Sequence, residues 1–132
     1  MKFSWFEAAI GAVVGYWLGL NAIVQVLIIL QALDVISGVI VAASRRELNS
    51  DASFRGILKK MMTLVVVLMA AVAQPALPEP VNTLPLVPVI AGFFAAHEGL
   101  SILENAAMLG VPMPPLLTDA LKKLSGSGKL NA

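Results

Sequence analysis

Uncharged apolar residues dominate the first third of the chain. From Ala8 to Leu33 no residue is charged, and Asp34 is the one charge between Ala8 and Ser44. As a single helix this segment would be about 55 Å long, whereas the hydrocarbon core of a bilayer is about 30 Å thick. Glycine and asparagine in Gly19-Leu20-Asn21 tolerate the backbone angles of a reversal. The pattern therefore predicts two helices, over residues 3–20 and 21–44.

A polar connection separates these helices from a third apolar segment. Residues 44–55 predict a loop or an interfacial turn, and a third span follows over residues 57–73 if the lysines at its start extend to the membrane surface. Four prolines between Gln74 and Pro85 exclude a continuous helix there. The chain therefore turns again before its next apolar segment.

The last third of the chain predicts one more span and a short surface helix. The fourth span is expected over residues 86–108, followed by Gly110 and Pro112 in the usual stop pattern. An amphipathic helix is expected over residues 116–124, lying at the membrane interface, and a flexible tail rich in glycine and serine over residues 125–132.

Composition excludes a water-soluble monomer. The chain has 132 residues, of which 58% are hydrophobic and 13% charged, whereas soluble domains have about 45–50% apolar and about 25% charged residues. The absence of cysteine excludes disulfides, thiolate zinc sites and a cysteine nucleophile. We therefore predict an all-α integral membrane protein with about four transmembrane helices, forming a single domain over residues 1–124.

The basic residues predict the orientation of the chain. They are Lys2, Arg45, Arg46, Arg55, Lys59, Lys60, Lys122, Lys123 and Lys129. With four spans and a cytoplasmic N terminus, all nine lie on the cytoplasmic side, as the positive-inside rule requires, and both termini are cytoplasmic. A three-span alternative places Lys122 and Lys123 on the side opposite Lys2.

Small residues in the first helix suggest close helix packing. Gly11, Gly15 and Gly19 form two overlapping GxxxG units, and such residues let helix backbones approach closely in lipid. The GxxxG units are compatible with packing against another helix of the same monomer and with a contact between two copies of the chain. Glu7 and the bulky residues near position 16 argue against a cleaved signal peptide, so we expect an uncleaved helix.

Two acids are predicted deep in the membrane. Asp34 lies about ten residues, or roughly 15 Å, from the cytoplasmic end of the second helix, and Glu98 has a similar depth in the fourth. No basic residue is expected at that level. A charge at the bilayer centre costs at least ~2.5–3.5 kcal/mol, so such residues normally face the bundle interior, a partner helix or water.

Polar residues repeat at helical spacing around these acids. His97, Ser101, Glu104 and Asn105 are expected to share one stripe of the fourth helix, and Gln31, Asp34 and Gly38 one face of the second. Three interpretations stay open: an internal hydrogen-bond network, a surface that lines a pore or contacts other copies, and a proton or ion relay.

Enzymatic and nucleic-acid functions are not supported by the sequence. The single histidine excludes a two-histidine metal site, and spacing of i and i+4 between His97 and Ser101 is ordinary adjacency on a helix. We predict no catalytic site, metal or cofactor. The basic segment from Arg45 to Lys60 fits anionic lipid at a membrane face better than nucleic acid.

Three motifs resemble one known family. HEGLSILENAAMLGVPMPPLL (residues 97–117) is similar to the C-terminal signature of the phage-lysis and toxin-secretion holins, DVISG (34–38) to their D-x-x-T-G element, and SDASFRGILKKM (50–61) to their S-x-x-x-x-x-G-x-x-K-K stretch. His97 replaces a usual asparagine and Ser37 a usual threonine. Both retain a hydrogen-bonding group.

The resemblance implies a phage or prophage holin of the bacterial cytoplasmic membrane. Such proteins assemble into homo-oligomeric lesions that release or activate an endolysin, and some relatives serve in toxin export. The alternatives are a small ion or proton channel or transporter subunit, which would use Asp34, His97 and Glu98 as a relay, and a non-conducting membrane scaffold.

Overall fold

The computed structural model describes residues 4–124, and all of its regular elements in that range are helical. They are α1 (Ser4–Gly19), α2 (Ala22–Ser44), α3 (Ser50–Ala73), two short 3₁₀ turns (Gln74–Ala76 and Val81–Thr83), α4 (Leu86–Met108) and α5 (Pro115–Leu124). The predicted tail over residues 125–132, together with Lys2 and Lys129, lies outside the described residues.

Local capping sets where α2 and α3 begin. The Asn21 side chain accepts a 3.2 Å hydrogen bond from the Ile23 amide, which starts α2 directly after a two-residue connection. Asn49 does the same for α3, accepting from Asp51 at 2.9 Å and from Ala52 at 3.2 Å. Asparagine is a preferred N-cap because its side-chain oxygen satisfies amides that the first turn leaves free.

The early start of α3 corrects the predicted loop over residues 44–55. A five-residue connection joins Ser44 to Ser50, and α3 is already helical through Arg55. The polar composition of this segment reflects exposed helical turns and not irregular backbone. As a result Lys60 lies ten residues inside α3 and not near its start.

Helices α2 and α4 form the most extensive contact, and α3 packs against both. α2 and α4 run parallel, because Ile23 lies near Gly92 at their starts while Ser37 bonds Asn105 nearer their ends. The core of this three-helix unit contains Leu27, Val67, Ala91 and Ala95, and Leu27 is fully buried. Small residues on α4 allow α2 to approach closely.

Three helices are long and apolar enough to cross a membrane: Ala22–Ser44, Ser50–Ala76 and Leu86–Met108. The all-α class is therefore confirmed, but the count of four spans is not. Helix α1 has 16 residues and no more than marginal contact with any other element of the described chain. Its large side chains are mostly exposed, for example Trp5, Tyr16 and Leu18.

Two turns close the ends of the three-helix unit. Between α3 and α4, the Gln74 amide donates to the carbonyls of Asn82 at 3.1 Å and Leu84 at 2.8 Å. After α4, Gly110 has a φ of +81°, which a glycine adopts readily at a helix end. This second turn leads to α5 at the end of the unit that also carries the α2–α3 connection.

Candidate functional site

A cluster of one lysine and two carboxylates joins the three packed helices. Lys60 Nζ on α3 donates to Asp34 Oδ2 on α2 at 2.7 Å and also bonds Glu98 Oε2 on α4. The Glu98 side chain is almost fully buried, and those of Asp34 and Lys60 are 13% and 18% exposed. The expectation that no basic residue meets these acids is therefore wrong.

The helix bounds explain why these three residues meet. Asp34 lies ten residues before Ser44, Lys60 ten residues after Ser50, and Glu98 ten residues before Met108. With a rise of 1.5 Å per residue, each lies about 15 Å from the same end of the unit. Lys60 thus belongs to the acid cluster and not to the surface basic residues with which the sequence grouped it.

Each member of the cluster is also seven residues from a buried core residue. Leu27 precedes Asp34 by seven positions, Ala91 precedes Glu98 by seven, and Val67 follows Lys60 by seven. Seven residues are close to two full helical turns, so residues at that spacing share a helix face. Core and cluster therefore form two adjacent layers between the same helices.

Asn105 extends the cluster along the contact between α2 and α4. Its Nδ2 atom donates to Ser37 Oγ at 2.8 Å and to Asp34 Oδ1 at 3.2 Å, and the Ser37 hydroxyl donates to the Asp34 carbonyl at 3.0 Å. Gly38 lies beside this amide, since a Cβ atom at that position would be in ordinary van der Waals contact with Asn105 Nδ2, at 3.8 Å.

A second polar contact ties α3 to α2. The buried Gln31 donates through Nε2 to Thr63 Oγ1 at 2.6 Å and to the Lys60 carbonyl at 3.2 Å. The Thr63 hydroxyl also donates to that carbonyl, at 2.7 Å. Sequence reasoning gave Thr63 no role. Its position three residues after Lys60, on the same face of α3, is the signal that would have identified it.

The predicted polar stripe of α4 divides into two faces. Glu98 and Asn105 contact the other helices, whereas His97, Ser101 and Glu104 line a groove of about 360 Å³ together with Phe93 and Leu100. Within residues 4–124, none of the side chains of His97, Ser101 and Glu104 makes a hydrogen bond. We call these three residues the outer stripe.

The outer stripe borders the cluster. His97 and Ser101 also line a smaller groove of about 190 Å³, whose other walls include Asp34, Lys60 and Glu98. Solvent or a neighbouring molecule that reaches the outer stripe is therefore next to the buried charges.

The other predicted residues lie away from this cluster. A Cβ atom on Gly11, Gly15 or Gly19 would meet nothing within 4 Å, so the described chain does not pack against the GxxxG face of α1. Five basic side chains are exposed near the end of the unit where α2 ends and α3 begins, or on α5: Arg45, Arg46, Arg55, Lys122 and Lys123. Lys59 is exposed as well, but it lies next to Lys60, about 13.5 Å from that end. Among residues 4–124, no group of three or more histidine and acidic side chains could hold a metal ion.

Three helices that are long and apolar enough to cross a membrane, joined by a buried ionic cluster, indicate a small membrane protein. The sequence model of the bacteriophage holin family matches residues 12–126, which is most of the chain. The chain belongs to this family, and family membership points to a non-enzymatic, pore-forming protein.

Individual relatives agree with this assignment. The chain is 35% identical over 106 residues to a probable holin of Bacillus phage phi105, covering 80% of this chain and 76% of that protein. It is 44% identical over 93 residues to an uncharacterized 14.9 kDa protein of Clostridium perfringens, covering 70% and 69%. A Halalkalibacterium halodurans protein, uncharacterized as well, is 30% identical over 126 residues and 93% of each chain. No solved structure matches the chain significantly.

Proposed function

We propose that this chain is a holin that self-associates in the bacterial cytoplasmic membrane and forms lesions through which an endolysin or a toxin passes. Family membership supports a holin role. The structural observation that carries the proposal is the outer stripe of His97, Ser101 and Glu104, whose side chains have no hydrogen-bond partner within residues 4–124.

Such a stripe is unfavourable against lipid tails. Polar side chains in a membrane are stabilised by partner helices or by water, because hydrocarbon offers no hydrogen bonds. Contact between copies, or a water-filled space enclosed by several copies, provides what a single chain lacks. The neighbouring cluster of Asp34, Lys60 and Glu98 would then lie beside the wetted surface, and its charges would favour water there.

The glycine face of α1 supports association between copies in the same way. A Cβ atom on Gly11, Gly15 or Gly19 would meet nothing within 4 Å in the described chain, which leaves this close-approach surface available to another molecule. Of the two interpretations of the GxxxG units, this favours a seam between copies over packing inside the monomer.

We further propose that both termini are cytoplasmic, with α1 as a short fourth crossing. The exposed basic residues at one end of the three-helix unit support this orientation, because the turn at the other end, between Gln74 and Pro85, carries none. The alternative leaves α1 on the outer surface with three spans. Labelling of single cysteines introduced at Ser4 and at Ser50 distinguishes them, since four spans place both residues on the cytoplasmic side.

Leakage from proteoliposomes tests the pore proposal. Purified protein is reconstituted into vesicles that contain solutes of increasing size, up to a folded endolysin. We expect release of the protein-sized cargo, which rises steeply with the protein-to-lipid ratio. Selective passage of small ions alone would identify a channel, and no release at any ratio would identify a scaffold. Either result contradicts the proposal.

A matched pair of variants links leakage to the outer stripe. Ser101→Leu replaces one of the three polar side chains of the stripe by an apolar one, at a residue that makes no hydrogen bond within residues 4–124. Val39→Leu is a control on an exposed apolar surface of α2. We expect Ser101→Leu to reduce release of large cargo and Val39→Leu to leave it unchanged. Equal release from both would contradict a role for the stripe.

A further inference from the structure

Helix α5 has an apolar side and a charged side, and the described chain leaves it without a packing partner. At 100° per residue, Leu116, Leu117 and Ala120 fall on one side, while Thr118, Asp119, Lys122 and Lys123 fall on the other. Leu116 is 81% exposed. Among the elements between Ser4 and Leu124, none makes more than marginal contact with α5.

A helix of this length needs a partner surface. Its ten residues span about 15 Å, which is too short to cross a bilayer and short enough to be marginal as an isolated helix in water. An amphipathic helix of this kind becomes stable when its apolar side enters an apolar environment and its charged side stays in water.

The position of α5 indicates which environment that is. It follows α4, a membrane-spanning helix, after the six residues from Leu109 to Pro114. It therefore emerges at the level of the membrane surface, at the end of the unit that also exposes Arg45, Arg46 and Arg55. The acidic residues there, Glu47, Asp51 and Asp119, are fewer than the five basic ones, which are Arg45, Arg46, Arg55, Lys122 and Lys123.

We propose that α5 lies in the headgroup layer and binds anionic phospholipid. Leu116, Leu117 and Ala120 contact the boundary with the acyl chains, and Lys122 and Lys123 bind lipid phosphates. Attraction between basic side chains and an anionic leaflet is the physical reason. The proposal rests on the membrane location of the chain and on the orientation of its basic end, but not on pore formation.

A second copy is a poorer partner for α5. Copies in one membrane lie at the same depth, so contact through α5 would bring Lys122 and Lys123 of one copy near the same basic end of its neighbour. Like charges at short distance repel, whereas lipid phosphates compensate them.

Depth measurements on the full chain test the proposal. The chain contains no cysteine, so Leu116→Cys, Ala120→Cys and, as the control on the polar side, Thr118→Cys each carry a single thiol. The three proteins are reconstituted into phosphatidylcholine vesicles with and without phosphatidylglycerol, then treated with a water-soluble maleimide. A nitroxide on the same thiols reports contact with lipid or with water.

With phosphatidylglycerol present, we expect maleimide to modify Leu116→Cys and Ala120→Cys about fivefold or more slowly than Thr118→Cys, with nitroxides at 116 and 120 in contact with lipid. Omitting the anionic lipid, or adding Lys122→Gln and Lys123→Gln, should reduce this difference to about twofold or less. The proposal would be overturned by equal maleimide rates at all three sites. It would also be overturned if the thiols at 116 and 120 reacted slowly while their nitroxides did not contact lipid, or if the rates did not depend on the anionic lipid. None of these readouts depends on leakage.

Discussion

Lys60 Nζ on α3 lies 2.7 Å from Asp34 Oδ2 on α2, about 15 Å from the nearest end of either helix. Because the same ammonium also bonds Glu98, a single side chain compensates two carboxylates and connects all three packed helices. The contact of α3 with α2 and α4 is less extensive than the contact between α2 and α4. Lys60 is therefore central to holding α3 in place.

Replacing Lys60 by methionine should destabilise the protein strongly. Lys60→Met leaves two buried carboxylates facing each other without a positive charge. Breaking a fully buried pair costs about 3–5 kcal/mol, and the partial exposure of Lys60 reduces our expectation to about 2–4 kcal/mol. Thermal unfolding in detergent, with Lys59→Met as the exposed neighbouring control, measures the difference. Equal stability of the two variants would contradict the central role of Lys60.

Neutralising one acid should be much less damaging than removing the lysine. Glu98→Gln keeps the side-chain shape, leaves an amide oxygen to accept from Lys60, and preserves the Asp34 partner. We expect a change of about 1 kcal/mol or less, since one positive and one negative charge remain paired. The same unfolding measurement checks it. A loss as large as that of Lys60→Met would mean that both carboxylates are needed.

Asn105→Leu should weaken the contact between α2 and α4. The substitution removes the amide that donates to Ser37 and Asp34 and leaves both acceptors in an apolar contact. We expect a cost of about 1–3 kcal/mol, the usual range for leaving buried polar groups unsatisfied. Ser101→Ala on the same helix is the control, because its hydroxyl makes no hydrogen bond within residues 4–124. A loss of stability in Ser101→Ala but not in Asn105→Leu would mean that Ser101, and not Asn105, lies on the face of α4 that packs against the other helices.

Leu27→Ala should open a cavity in the apolar layer. Leu27 is fully buried among α2, α3 and α4, whereas Ile29 on the same helix is about half exposed. In water-soluble proteins Leu→Ala costs about 2–5 kcal/mol. In a membrane the leucine side chain is exchanged between protein and lipid tails and not between protein and water, so the hydrophobic part of this cost is smaller. The packing lost in the cavity stays, and we therefore expect a loss of stability of about 2 kcal/mol, the lower end of that range. Chemical unfolding in mixed micelles compares it with Ile29→Ala, and a larger loss for Ile29→Ala would contradict this packing.

The bounds of α2 and α4 could be predicted from the sequence. The lengths of the apolar segments that become α2 and α4, together with their turn residues, define bounds within about one residue of those observed, since glycine and proline act locally. The start of α3 was missed because its first turns are polar. Asn49, followed by an acidic residue at position 51, is a helix N-cap pattern, and it cannot be recognised from the distribution of apolar residues alone.

The start of α3 also determines whether Lys60 can be recognised as the counter-ion of the two acids. With α3 taken to begin at residue 57, Lys60 belongs near the membrane surface; with its true start at Ser50, it reaches the depth of Asp34 and Glu98. The two faces of α4 could not be separated in advance either. His97 and Glu98 are neighbours in sequence, and only the direction from which α2 approaches α4 decides which of them is buried.

The seven-residue spacing between the apolar layer and the charged cluster restricts how the length of the chain can vary. One residue inserted between Lys60 and Val67 would turn Lys60 by about 100° and shift it by about 1.5 Å while the core stayed fixed. The same holds between Leu27 and Asp34 and between Ala91 and Glu98. Substitutions can be compensated by neighbouring side chains, whereas a change of register within these two turns separates the charges. Insertions and deletions should therefore be tolerated in the 74–85 turn but not in these three intervals.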